Sequence, residues 1–132
     1  MMKNAIQQTA ALAAALAAAL ACAAAVLAPR PAWAHAHLDH ATPAAGSAVA
    51  SPAAIRATFT ERLEPAFSSL SVAGPDGKAL DLGRAALAEG DGKTLVLAVG
   101  QPLPPSRYVV TWKVLSKDGH KTNGQWAFTV RP

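Results

Sequence analysis

Sulfur is nearly missing from this chain of 132 residues. Its single cysteine is Cys22, and its two methionines are Met1 and Met2, all close to the start. Charged residues are also sparse, at 15%, and the basic ones form no run or stripe. Clustered basic residues are the footprint of nucleic-acid binding, so no nucleic-acid partner is expected. Neither a nucleophile elbow nor a glycine-rich phosphate loop is present.

What is present begins with a leader. Lys3 makes the start positive, and an almost unbroken Ala/Leu run extends from Ala10 to Ala28. Ala32-Trp33-Ala34 then supplies small residues in the A-x-A pattern. This order marks a secretory signal peptide. Residues 1–34 are read as the signal, cut between Ala34 and His35, and residues 35–132 as one mature domain. The run is long enough to span a bilayer, but the cleavage pattern favours removal, so the mature protein is expected not to span a membrane. Leu20 stands one place too close to Cys22 for a lipoprotein signal. Cleavage removes Lys3 and Arg30, and the net charge falls from +4 to +2. It also removes all three sulfur residues, so disulfides and thiolate ligands are excluded.

The mature part reads as strands and turns. "IRATFT" alternates, with Ile55, Ala57 and Phe59 on one side. Leu70 and Val72 repeat the pattern before the turn "GPDGK", and a short stretch near Lys78 to Leu82 is expected to pair next. Leu95, Leu97 and Val99 point inward, as do Tyr108, Val110, Trp112 and Val114 on the longest strand. Trp126, Phe128 and Val130 close the set. Short strands at this spacing indicate an all-β sandwich. The small, Pro-rich "ATPAAGSAVASPAA" is expected to be an ordered loop.

Three of four histidines fall within "AWAHAHLDH". Cleavage makes His35 the first residue, with a free α-amine beside its own imidazole. Those two nitrogens can grip one ion as a chelate, and they suit Cu(II). An α-amine (reference pKa about 7.7–8.0) and an imidazole (about 6.5) must each lose a proton to bind. Affinity therefore falls in mild acid. The only distant histidine is His120, with Asp118 two places before it. In an extended segment both side chains point one way, provided that Gly119 does not turn the chain. A rival needs no fold: the amine, two backbone amides and the His37 ring form a local square-planar chelate. His40 reads as surface, or as part of a weak second site with His37.

The start "HAHLDHATPAAGSAV", the segment "FTERLEPAFSSLSV" and the tail "YVVTWKVLSKDGHKTNGQWAFTV" resemble the CopC family of exported copper-binding proteins. The resemblance implies an immunoglobulin-like Greek-key sandwich of about seven strands, a variant of the cupredoxin-like barrel. It implies a Cu(II) site on His35, Asp118 and His120, joined in some members by a Glu, here Glu61. A surface carboxylate paired to Arg56 or Arg62 is the plainer reading of Glu61. The methionine-rich Cu(I) site of some members cannot be carried over, since no methionine follows Met2. The function implied is periplasmic copper binding, for homeostasis, resistance or import, with copper as ligand. An inner-membrane copper transporter, as a separate protein, is the partner implied. No enzymatic activity is expected. Two rivals remain open: a copper-dependent oxidative enzyme with an N-terminal-histidine site, and a metal-free structural sandwich.

Overall fold

Alternation at Ile55, Ala57 and Phe59 becomes strand β3 (Ala54–Phe59), with all three side chains buried. The computed structural model describes residues 2–26 and 35–132. The expected cleavage site, Ala32 to Ala34, lies outside the described residues. The chain divides into two compact units, Met1–Trp33 and Ala34–Pro132. In the first, α1 (Met2–Val26) is a single helix. Its stretch Asn4–Ala23 is long and apolar enough to cross a membrane, a property that signal sequences share.

The second unit is all β. Strands β1 (Leu38–Thr42), β3, β6 (Thr94–Ala98) and β5 (Ala86–Leu87) form one sheet in the order β1-β3-β6-β5. The other sheet runs β2-β8-β7-β4, from β2 (Ala48–Val49), β8 (Lys121–Val130), β7 (Ser106–Leu115) and β4 (Ser69–Ala73). Pairing is antiparallel except between β2 and β8, which run parallel.

Every inward position read from the alternation is buried: Leu70 and Val72, Leu95 to Val99 on alternate residues, Tyr108 to Val114, and Trp126 to Val130. Each fully buried side chain of this size contributes about 1.5–3 kcal/mol. Where the core contains polar atoms, they are matched. Trp126 Nε1–H donates to the Pro43 carbonyl at 3.0 Å, and the Tyr108 hydroxyl donates to the Pro104 carbonyl at 2.6 Å.

The stretch at 78–82 pairs as expected across the turn with β4, through a bridge of Ala79 to Ala73 and the Leu80 N–H donating to the Val72 carbonyl at 2.7 Å, without forming a strand of its own. The "ATPAAGSAVASPAA" loop is ordered as expected, but it also contains β2. Its Gly46 N–H donates to the Ala127 carbonyl at 2.7 Å.

β7 and β8 pair along ten positions, so Trp112 stands opposite Gly124. The indole lies over that glycine and meets the Phe59 ring edge-on, centroids 5.1 Å apart. The same hairpin continues to the segment that carries Asp118 and His120.

Candidate metal centre

The connection from β7 to β8 is "SKDGH", closed at its base by the Ser116 N–H donating to the His120 carbonyl at 3.0 Å. Gly119 has φ +89°, a left-handed conformation that costs glycine little. The chain therefore does turn here, contrary to the extended geometry on which the D-x-H argument rested. Asp118 and His120 meet all the same. The His120 N–H donates to Asp118 Oδ1 at 3.3 Å, and the His120 ring brings Nδ1 to 3.2 Å from the same oxygen. An Asx-type turn does what strand parity was expected to do.

Ser116 completes this arrangement. It is buried, and its hydroxyl donates to Asp118 Oδ1. That bond, followed by those from His120, holds the Asp118 carboxyl below its ordinary value of 3.8. Asp118 is accordingly a carboxylate throughout the neutral and mildly acidic range. With the folded value below the unfolded one, the ionised group favours the fold above about pH 3.8; the contribution is lost as pH falls through the folded value. Replacing Ser116 by alanine is expected to move the Asp118 carboxyl back up toward 3.8, read from its carbon-13 shift across a pH titration. An unmoved midpoint would assign the depression to His120 instead. Sequence reading assigned Ser116 no part in the site, although its place two residues before Asp118 was the available signal.

His35 reaches this loop from the segment that precedes β1. Its neighbour Ala36 is fully buried, and the Ala36 carbonyl accepts a hydrogen bond from Thr122 Oγ1 at 2.7 Å. Thr122 lies two residues beyond His120. On the other side, the His37 N–H donates to Thr60 Oγ1 at 3.0 Å, and the Thr60 N–H donates to the His37 carbonyl at 2.9 Å. The segment is thus clamped between the end of β3 and the start of β8. The His35 and His120 rings consequently meet edge to face, with centroids 4.4 Å apart and planes at 77°.

Glu61 follows Thr60 and is exposed. Among the described residues no hydrogen bond or ion pair joins it to His35, Asp118 or His120, nor to Arg56 or Arg62. His40 is exposed and pairs with Asp39, Nδ1 to Oδ2 at 3.1 Å. Among the described residues no three His, Cys, Asp or Glu side chains gather closely enough to hold a metal by themselves. The side chains brought together are two imidazoles and one carboxylate that leans on the second ring. These side chains alone leave a metal short of a further donor. Imidazoles are borderline nitrogen donors suited to Cu(II). Among the described residues, Phe59, Tyr108, Trp112, Trp126 and Phe128 are buried, and Phe67 is the one Phe, Tyr or Trp ring left exposed.

Comparison with known proteins agrees with this architecture. The CopC domain profile matches residues 38–131. Protein YobA of Escherichia coli (strain K12) is 42% identical over 100 residues, covering 75% of this chain and 81% of that protein. Among solved structures, CopC from Methylosinus trichosporium OB3b is similar with a TM-score of 0.68 and 36% identity, covering 74% of this chain and 95% of the other. PcoC, described as a methionine-rich copper resistance protein from Escherichia coli, gives a TM-score of 0.63 and 34% identity, over 74% of this chain and 100% of that one. The present chain has no methionine beyond Met2. With 38–131 matched, and with that span coinciding with the sandwich, this chain belongs to the CopC family of copper-resistance proteins.

Proposed function

We propose that this protein is exported to the periplasm, loses residues 1–34, and binds Cu(II) to sequester it or to pass it to an inner-membrane copper transporter. The observation that carries the reading is the contact between the His35 and His120 rings, centroids 4.4 Å apart, from segments distant in sequence. The His35 amine and ring would chelate the ion, and the His120 ring would supply the third nitrogen. Asp118 would contribute a carboxylate oxygen, or else orient His120 through Nδ1, as carboxylates behind metal-bound histidines do. Glu61 stays a candidate for a further oxygen. Release in mild acid would be set by the nitrogen donors, because Asp118 keeps its charge there.

The local chelate through His37 is disfavoured by the clamp. It requires the Ala36 and His37 amides as deprotonated ligands, yet the His37 N–H is held by Thr60 and Ala36 is fully buried. Electron spin resonance of the Cu(II)-loaded exported protein distinguishes the two. Three nitrogens and an oxygen are expected, with one nitrogen lost and affinity down at least about tenfold in His120→Ala. Four nitrogens, together with indifference to that substitution, would overturn the folded site.

A further inference from the structure

The four strands of the β2-β8-β7-β4 sheet contain Arg107, Lys113 and Lys121 but no aspartate or glutamate. All eight acidic residues of the chain lie on β1, in loops or in turns. Neither Lys113 nor Lys121 has a carboxylate within ion-pair distance among the described residues. Beside them, Phe67 is 71% exposed; it is the one large apolar side chain of the sandwich, among its described residues, left in solvent to that degree. The three residues line one shallow groove of about 300 Å³, together with Thr122 and Asn123. Phe67 ends a short 3-10 turn (Pro65–Phe67) beside the two lysines.

We infer that this groove docks an acidic segment of a partner protein, one that places a single apolar side chain against Phe67 and its carboxylates against Lys113 and Lys121. Charge complementarity selects the occupant: a surface of one sign, without internal ion pairs, attracts the opposite sign and repels its own. The concave shape favours a side chain over a lipid surface. A membrane-binding face needs several protruding apolar groups, and here there is one. Lys121 directly follows His120, so a docked partner would sit beside the copper loop. That adjacency serves copper transfer only if the reading above holds; the docking itself does not depend on it.

The test uses metal-free exported protein, labelled with nitrogen-15 and titrated with a capped peptide of four glutamates flanking one leucine. Saturable shifts are expected at Phe67, Lys113, Lys121 and Asn123, weakening severalfold as salt rises from low to physiological levels. Phe67→Ala and Lys113→Gln should each weaken peptide binding at least about fivefold while leaving Cu(II) affinity unchanged. Neither residue touches His35, Asp118 or His120, so a failure here is separable from a failure of the copper site. Absence of shifts, equal shifts with the all-lysine counterpart peptide, or shifts elsewhere on the sandwich would overturn the inference. Cosedimentation with phosphatidylglycerol vesicles that is lost in Phe67→Ala, without peptide binding, would overturn it too and assign the face to a membrane.

Discussion

Extending the exported protein by Ala-Pro ahead of His35 is expected to lower Cu(II) affinity at least about 100-fold. The imidazoles of His35 and His120 are untouched by this change, and so is the clamp through Ala36 and His37. Only the α-amine moves, and with it goes the chelate ring it shares with its own imidazole. Removing an outer partner of a metal ligand already costs about 10–100-fold; removing a ligand should cost no less. Proline is the right neighbour because its nitrogen carries no N–H to serve as a new amide ligand. Competition against a coloured chelator measures the affinity, and near-ultraviolet circular dichroism checks the fold. Undiminished affinity would show that the amine is not a donor. The expected cut at Ala34 would then lose its chemical meaning.

The second large effect concerns stability. Gly124→Ala is expected to destabilise the sandwich by about 2–3 kcal/mol, the upper part of the range of about 1–3 kcal/mol for overpacking a filled core. A Cβ on Gly124 would lie 2.5 Å from Trp112 Cζ2 and 2.7 Å from Cε2, closer than such atoms ever approach. The indole cannot easily retreat, because it is buried and Phe59 stands edge-on against it at 5.1 Å. Alanine is the better strand residue by about 0.5–1 kcal/mol, so the clash wins. For a domain of this size the melting temperature should fall by roughly 10–20 °C, measured by thermal circular dichroism. An unchanged midpoint would mean that Trp112 swings free of the strand.

Sequence and structure agree where a side chain's parity does the work. Val110, Trp112 and Val114 announce their face because each alternates with a residue that tolerates solvent. The short β2 and β5 carry two residues apiece, too few for any period. Of the candidate site, the two histidines whose rings meet stand out in the sequence because the chain has only four. The hydroxyls that position them do not. Thr60 and Thr122 act through hydrogen bonds to groups 23 and 86 residues away in sequence, and no spacing encodes such a partner; Ser116, two residues from Asp118, is the one whose spacing gave a signal. Asp118 and His120 come together through the turn at Gly119 and not through strand alternation, which a D-x-H spacing alone does not tell apart.

The clamp on Ala36 and His37 bears on when the protein can first take up metal. In the uncut precursor the nitrogen of His35 is an amide, and an amide is a poor ligand at neutral pH. Both rings can already be side by side in that state, held by Thr60 and Thr122, yet the chelate is missing its first tooth. On the proposed cleavage and amine ligand, newly made chains would pass through the cytoplasm without competing for its copper, and would become competent only on severance beyond the membrane.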